Sequence, residues 1–350
     1  TALSEASIRH QFSQPVNIKL SMFATEFFSN FHNHVQVNGE APELPFHETG
    51  YLFLASKDGM GNLIDNHEIQ KKCGAEVVLL SPSEIKKRFP YMKTDDLEGG
   101  SLGIKNEGTL DAFSLMQGLK LRARHNGVEY LNDRVISINF DESKGLVREV
   151  KLDSGEILSC SRVVNCAGPR ARWIAEMVGL ELPVEPRIRA AFVFDCREVL
   201  NGQTLPLTID PSGVHVRTDP PHFLAGAPPA NDLEVDPDDF KVRGEEWEEN
   251  IWPVLAHRIP AFEKIKVMSS WAGHYAYNTL DQNAILGTCE TLPNFFFCNG
   301  FSGHGFQQSP GVGRGLSELI TYGEYRSLDL TELDYSRVLK NEPFLEKAVI

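Results

Sequence analysis

The stretch FFFCNGFSGHGFQQSPGVGRGLSELIT, from Phe295 to Thr321, places six glycines between an aromatic run and an apolar segment with helical periodicity. The aromatic run predicts a buried strand, because a short continuous apolar run is typical of a strand covered on both faces. Ser309 and Pro310 predict the start of a helix, with Ser309 as the N-cap and Pro310 at the first helical position. The chain must therefore form a strand, a loop with little side-chain bulk and a helix, in that order.

The six glycines fall into a loop group and a helix group: Gly300, Gly303 and Gly305, then Gly311, Gly313 and Gly315. A glycine inside a helix costs about 1 kcal/mol relative to alanine, which is tolerable if a neighbouring helix or a flat ligand must come close. A glycine loop exposes backbone N–H groups, and a helix N-terminus adds partial positive charge. An anion or an electron-rich ring is the expected occupant of this loop.

A second strand–glycine–helix passage is SRVVNCAG, which ends at Gly168 and is followed by PRARWIAEMVG. The apolar run resembles the final strand of a dinucleotide-binding unit, and a glycine at its carboxyl end allows the backbone to approach a ligand. An ordinary buried strand and turn explains the same residues, since such passages are common in α/β folds. Both interpretations stay open at this level.

Composition limits the function classes. With 350 residues, 41% of them hydrophobic, the chain can bury one large core or two smaller ones. A net charge of −14 without a sustained basic run argues against nucleic acid or an anionic membrane surface as the main partner. The six cysteines lack zinc-ligand spacing and indicate a reducing compartment. No apolar run reaches the roughly 18 residues of a membrane-spanning helix.

Strand and helix patterns alternate along the chain, which favours an α/β fold. GYLFLAS, RVISINF and GLVREVKLD predict strands, SPSEIKKRFP predicts a short helix with Ser83 as a plausible N-cap, and LDAFSLMQGLKLRARHNG predicts an amphipathic helix. From Leu182 to Met268 the sequence becomes rich in proline, with short β-like runs and acidic clusters. This shift predicts a second domain.

The segment NGFSGHGFQQSPGVG resembles the C-terminal flavin-binding signature of the D-amino-acid-oxidase-like superfamily, which includes sarcosine oxidase and dimethylglycine dehydrogenase. WAGHYAYNTLDQNAILG, from Trp271 to Gly287, and the tail RSLDLTEL are similar to a mitochondrial branch of that superfamily whose members act in assembly of respiratory complex I. The likeness extends over nearly the whole chain, including ASIRHQFS, LPVEPR and IPAFEKIKV.

The resemblance implies a Rossmann-like FAD/NAD(P)-binding domain of the α/β (α+β) class, with an inserted mixed or antiparallel substrate domain. The FAD domain is expected from residues 1–31, 103–183 and 269–324, the substrate or cap domain from 32–102 and 184–268, and a tail from 325–350. Family members open with a βαβ unit that carries GxGxxG, and no such unit precedes TALSEASIRHQFS. About the first fifth of the family pattern is absent, so residues 1–350 alone are expected to bind FAD weakly or not at all.

The resemblance also implies roles for three substrate-side residues. Arg9 lies where sarcosine-oxidase-like enzymes pair an arginine with the substrate carboxylate, a contact suited to a guanidinium; the alternative is a surface arginine in a polar loop. Gln307 replaces a lysine of those enzymes, which argues against a sarcosine-like substrate. His304 is expected to orient the ring or the substrate, or to serve only in hydrogen bonding.

For the cofactor, the resemblance implies FAD contacts at Val135, Gly168 and His274, and along the segment Gly300, Gly303, His304, Gly305, Phe306 and Gln307. Val135 corresponds to a strand whose backbone meets the adenine, although core packing explains it equally well. His274 stands where monomeric sarcosine oxidases carry the cysteine that links the flavin, so non-covalent binding is expected. No metal site is expected.

The mechanism implied is hydride transfer from a carbon next to an amine nitrogen to FAD, which supplies the redox chemistry. The sequence contains no obvious catalytic base, so the substrate amine is expected to bind in its neutral form. Two functions remain open: a flavoprotein that helps to assemble complex I, whose intermediates would be its partners, and an amine or amino-acid oxidase or dehydrogenase. The expected location is the mitochondrial matrix or inner membrane in a eukaryote, and the cytoplasm in a bacterium.

Overall fold

The computed structural model describes residues 3–197, 200 and 204–347. Its strands, in chain order, are β1 (Ser7–Ile8), β2 (Tyr51–Ala55), β3 (Val77–Leu80), β4 (Gly99–Gly103), β5 (Gly108–Thr109), β6 (Val135–Asp141), β7 (Leu146–Leu152), β8 (Ile157–Ser159), β9 (Val163–Asn165), β10 (Val184–Cys196), β11 (Leu207–Ile209), β12 (His215–Asp219), β13 (His222–Gly226), β14 (Ile265–Asn278), β15 (Ile285–Cys289) and β16 (Leu292–Asn299).

The helices are α1 (Pro15–Ser29), α2 (Phe31–Val35), α3 (Lys57–Lys72), α4 (Pro82–Arg88), α5 (Ala112–His125), α6 (Ala171–Glu176), α7 (Gly244–Glu246), α8 (Trp252–Arg258), α9 (Gly305–Tyr322) and α10 (Ser336–Lys340). A π-helical segment, Trp247–Ile251, joins α7 to α8, and short 3₁₀ turns occur at Gly168–Arg170, Pro260–Glu263 and Thr331–Leu333. None of the helices in the described part of the chain is long and apolar enough to cross a membrane.

The largest sheet has eight strands in the order β14-β10-β13-β12-β11-β2-β4-β3. The strands β10 and β14 pair antiparallel along nearly their full length, from Val184 opposite Asn278 to Cys196 opposite Ile265. In β10, buried and half-buried residues largely alternate, as they do when one face of a strand covers a core. Among the strands that the structure describes in this sheet, only β11 and β2 run parallel, so the sheet is mixed.

The strand predicted from the aromatic run is β16, the central strand of the three-stranded sheet β15-β16-β9. Strand β16 pairs in parallel with β9, with Phe295 opposite Val163, and antiparallel with β15. The antiparallel sheet β6-β7-β8 packs on it, since Ile138 and Val147 share one core cluster with Phe295 and Phe297. Together, the mixed and antiparallel sheets confirm the predicted α/β class. The sequence analysis did not predict β8, which follows the turn at Asp153.

Helix α9 begins five residues earlier than predicted. The expected start at Ser309 and Pro310 was wrong, because Pro310 lies inside the helix, which begins at Gly305 after His304. A proline within a helix leaves the carbonyl four residues earlier without its usual N–H partner. Here the Ser309 hydroxyl donates to the Phe306 carbonyl at 2.9 Å, which satisfies that group.

The predicted cap of α4 was also displaced. Ser81, and not Ser83, is the N-cap, and its side chain accepts from the Glu84 backbone N–H. The Glu84 carboxylate in turn accepts from the Ser81 backbone N–H at 2.8 Å. This reciprocal capping box satisfies two N–H groups at once, which explains why Ser81 is the preferred cap.

Candidate functional site

A cavity of about 870 Å³ lies between the eight-stranded sheet, helix α5 and the start of α9. Its wall is built mainly from apolar and aromatic side chains and from backbone of the glycine loop. The residues that carry the argument below are Glu5, Tyr51, Gly168, Arg189, His215, Trp271, His274, Tyr275, Gly303, Gly305 and Phe306. A mostly apolar concavity with a few polar groups is the usual form of a small-molecule site.

The glycine loop lies between β16 and α9 and needs left-handed backbone at three positions. Gly300, Ser302 and Gly303 have φ angles of +68°, +48° and +94°, a region that side chains disfavour. A Cβ on Gly303 would lie 2.5 Å from the Tyr275 ring, closer than atoms pack. Gly303 is therefore required both by the turn and by the ring of Tyr275, which itself lines the cavity.

Gly305 differs from Gly303, because it begins the helix and lacks a left-handed φ angle. A Cβ at Gly305 would approach the Phe301 ring at 3.1 Å, a tight contact that a side chain can relieve. Gly305 and Phe306 line the cavity, so the first turn of α9 forms part of its wall. The first N–H groups of a helix have no partner within it, and the helix dipole places partial positive charge there.

Arg9, His304 and Gln307 meet in the interior, where the N-terminal segment crosses the start of α9. The Arg9 backbone N–H donates to Gln307 Oε1 at 2.9 Å, and Arg9 Nη2 donates to His304 Nε2 at 3.1 Å. Arg9 is only 2% exposed, which excludes the alternative of a surface arginine. None of the three lines the cavity, although the guanidinium lies 5.6 Å from the centre of the Tyr51 ring, which does.

The Arg9 cluster keeps His304 neutral. Burial, followed by the nearby Arg9 charge, lowers the pKa of His304 well below its ordinary value. Nε2 must accept from Arg9, so the ring proton lies on Nδ1. His304 therefore acts in this arrangement as a hydrogen-bond acceptor for the arginine.

His274 lies on β14 and lines the cavity. Its Nε2–H donates to the Asp239 carbonyl at 2.7 Å, and its ring packs against Phe240 with centroids 4.5 Å apart. The His274 imidazole therefore makes both a hydrogen bond and a ring contact within the protein.

Of the remaining predicted cofactor residues, Gly168 lines the cavity, whereas Gly300 and Val135 do not. Gly168 lines the cavity with a φ angle of +56°, and a Cβ there would meet no atom within 4 Å, so the space beside it is open. Gly300 instead packs against Asn278 and Val184. Val135, at the start of β6, is half-buried and packs against the core that contains Phe295.

Sequence reasoning missed an acidic group at the cavity. Glu5 and His215 both line it, and His215 Nε2 lies 3.1 and 3.0 Å from the two Glu5 carboxylate oxygens. The two residues are 210 positions apart, so no local spacing could have indicated the pair.

A second carboxyl group, Glu107, is 1% exposed and lies beside the Arg9 segment. It accepts from the His10 backbone N–H at 2.7 Å and from Gln11 Nε2 at 2.8 Å. Burial raises its pKa to about 7, although these hydrogen bonds and Arg9 act in the opposite direction. The sequence contains no motif around Glu107 that would indicate a buried carboxyl group with a raised pKa.

The cavity fits the ring portion of a flavin. Bare backbone at Gly303 and Gly305, open space beside Gly168 and the N-terminus of α9 suit a flat, electron-rich ring that becomes anionic on reduction. Residues 1–350 contain no GxGxxG sequence that would hold the pyrophosphate. The fit therefore concerns the isoalloxazine end of FAD.

Comparisons with known proteins identify the family of this chain. The family model described as FAD dependent oxidoreductase (DAO) matches residues 9–319. FAD-dependent oxidoreductase domain-containing protein 1 of Xenopus laevis is 36% identical over 382 aligned residues, which cover 100% of this chain and 76% of that protein. Human mitochondrial sarcosine dehydrogenase is 28% identical and covers 79% of this chain, which in turn covers 31% of that protein.

Among solved structures, L-proline dehydrogenase from P. horikoshii is similar, with a TM-score of 0.84 and 25% identity. The match covers 97% of this chain and 87% of that one. Glycine oxidase from Geobacillus kaustophilus, at 20% identity, has the same fold, with a TM-score of 0.79. The resemblance to the D-amino-acid-oxidase-like superfamily is confirmed.

Proposed function

This chain belongs to the DAO family of FAD dependent oxidoreductases, and from that premise we propose that it oxidises a small amine or amino acid at a carbon–nitrogen bond. The observation that carries the proposal is the cavity itself, where the glycine loop and the start of α9 meet an apolar wall. A flat ring and a small substrate can lie side by side there. The names of sarcosine dehydrogenase and L-proline dehydrogenase support this substrate class.

FAD is the cofactor of this family, and when bound it supplies an acceptor for the hydride that leaves the substrate. Gly303, Gly305 and Phe306 would lie against its ring, with Gly168 at the open side of the cavity. The N-terminus of α9 would stabilise negative charge on the ring. These are the residues that we assign to cofactor binding.

On the substrate side, we retain Arg9 as the group that attracts a carboxylate. Its guanidinium is buried between aromatic rings, 4.1 Å from the centre of Phe12 and 5.6 Å from that of Tyr51. Arg9 does not line the cavity, so its side chain would have to shift past Tyr51 to contact a carboxylate there. His304 and Gln307 position it, since they bond its side chain and backbone, respectively.

Non-covalent FAD binding is part of the proposal. His274 Nε2 is already bonded to the Asp239 carbonyl, which supports a packing role for this ring. Acid precipitation of the FAD-loaded protein should release the yellow cofactor into the supernatant. Colour retained in the pellet would show a covalent link and make His274 the first residue to replace.

We also propose the domain division given above, with FAD-domain segments at 1–31, 103–183 and 269–324. The core that Val147 shares with Phe295 joins two of these segments and supports the division. Strand β14 crosses the boundary at residue 269 and pairs with β10, so the two domains would share a sheet. Residues 1–2, 198–199, 201–203 and 348–350 lie outside the described residues.

A second candidate function is assistance in the assembly of mitochondrial respiratory complex I. The FAD-dependent oxidoreductase domain-containing protein 1 of Xenopus laevis matches 100% of this chain, against 79% for the human sarcosine dehydrogenase, and this favours a role shared with the former group. Association with assembly intermediates and residence in mitochondria belong to this proposal.

Anaerobic mixing of the FAD-loaded protein with a panel of N-methyl amino acids and proline tests the enzymatic function. Loss of the yellow flavin absorbance with one of them is the expected result. If no compound bleaches the flavin while cells without the protein lose assembled complex I, the assembly function stands and the enzymatic one fails.

A further inference from the structure

We propose that Glu5, held in place by His215, recognises the positively charged amine of the substrate. The inference rests on the proposed function and adds to it the residue that selects a cationic nitrogen. It concerns the form in which the amine binds; the ammonium proton would leave to solvent before hydride transfer, because the nitrogen lone pair is needed for that step, so the reacting amine is still neutral.

The backbone directs Glu5 at the cavity. Ala6, the next residue, has a left-handed φ angle of +53°, a conformation that is unfavourable for a non-glycine residue. Two hydrogen bonds hold the backbone in this conformation. Arg217 Nη2 donates to the Glu5 carbonyl at 3.3 Å, and the Leu110 N–H donates to the Ala6 carbonyl at 3.1 Å. Strain of this kind persists where the surrounding structure fixes it, often at functional sites.

The charge of Glu5 is retained. Burial by itself would raise the pKa of Glu5, but His215 and then Arg217 outweigh it and lower the pKa below its ordinary value. The side chains of Glu5 and His215 keep 23% and 13% of their surface exposed, which leaves the pair open to the cavity. Glu5 therefore presents an ionised carboxylate to the interior.

Glu5 is also the single acidic side chain among the cavity-lining residues that the structure describes. Two of the lining cations are already paired with acids elsewhere. Arg189 makes a two-pronged contact with Asp232, at 2.7 and 2.8 Å, and Arg170 bonds Asp238. A carboxylate in a largely apolar cavity favours a cation, because the low local dielectric strengthens the attraction.

The aromatic surroundings suit an alkylated ammonium. Trp271 and Tyr275 line the same cavity, and the Trp271 Nε1–H anchors the Leu3 carbonyl, two residues before Glu5, at 3.1 Å. Aromatic faces attract quaternary and alkylated ammonium groups. The predicted ligand class is thus a small amine or amino acid whose nitrogen is positively charged, with Glu5 and the Trp271 ring beside that nitrogen, since the Arg189 guanidinium already lies 4.7 Å from the centre of the Tyr275 ring.

Two unreactive ligands of nearly the same shape test the inference: glycine betaine, which has a quaternary nitrogen, and tert-butylacetate, in which a carbon replaces that nitrogen. Isothermal titration is done at saturating FAD on the wild type, on Glu5→Gln and on the surface control Glu40→Gln. We expect Glu5→Gln to weaken betaine binding on the order of tenfold or more while leaving tert-butylacetate binding within about twofold. Glu40→Gln should change neither.

The outcomes separate the two proposals. If the wild type binds both ligands and Glu5→Gln weakens neither or both equally, the assignment of Glu5 is wrong and the amino-acid site stands. If the wild type binds neither ligand, the proposed function and the inference both fail. Should Glu5→Gln lower the melting temperature, Glu5→Asp replaces it, and a loss of the betaine preference in that charge-retaining variant would overturn the role of the charge.

Discussion

The glycine loop and the glycine-bearing face of helix α9 come from one continuous stretch, yet their glycines are there for different reasons. Gly300 and Gly303 adopt left-handed backbone, and Gly303 leaves room for the Tyr275 ring at the cavity. Gly311 and Gly315 are helical, and a Cβ on them would lie 2.7 Å from Leu20 of α1 and 2.5 Å from Leu330. Gly303 thus shapes the cavity wall, Gly300 serves the turn behind it, and the helix glycines bring chain segments together.

Gly303→Val should have the largest effect, because it combines strained backbone with a clash at Tyr275. We expect the free energy of unfolding to fall by about 3 kcal/mol and flavin binding to be lost. Chemical denaturation and FAD titration of the same preparation measure both. A variant that keeps wild-type stability and affinity would show that neither the turn nor the ring of Tyr275 needs a glycine.

Gly315→Val should rank second and should affect stability alone. The added side chain meets Leu330 and Tyr325, which lie away from the cavity, so we expect a loss of about 2 kcal/mol. FAD affinity per folded molecule should stay at the wild-type value. A selective loss of affinity here would erase the distinction between the two glycine groups.

Gly313→Ala should have the smallest effect, and of opposite sign. Gly313 is exposed, and a Cβ there would meet no atom within 4 Å. Alanine should therefore stabilise the helix by up to about 1 kcal/mol, seen as a small rise in melting temperature. A decrease would contradict the open space beside Gly313 and show that the helix needs a glycine there.

Some features of this stretch could be predicted from neighbouring residues and others could not. The strand at Phe295 and the glycine loop were predictable, because each depends on residues near in sequence. The helix glycines predicted a close neighbour but could not identify it as Leu20 of α1, which is distant in sequence. The start of α9 was not, since the Ser309 hydroxyl satisfies the Phe306 carbonyl and lets Pro310 sit inside the helix.

Site residues that belong to the family motif could be predicted from the sequence. Site residues that are placed by contacts between distant parts of the chain could not. Arg9, His304 and Gln307 do meet, although behind the cavity wall. The contact with His215 positions the Glu5 carboxylate, and burial raises the pKa of Glu107. Neither property is encoded by neighbouring residues, so spacing alone could not indicate them.

The central claim is that the cavity behind the glycine loop holds the flavin ring, and Gly305→Val tests it most directly. This substitution fills space at the cavity without requiring left-handed backbone, so the fold should survive. FAD fluorescence is titrated with the wild type, with Gly305→Val and with Gly313→Ala as the control, up to high protein concentration because no GxGxxG sequence is present. We predict affinity on the order of tenfold or more weaker for Gly305→Val and unchanged for the control. Equal affinity of Gly305→Val and the wild type would contradict the account, since the loop glycines would then serve backbone turns alone.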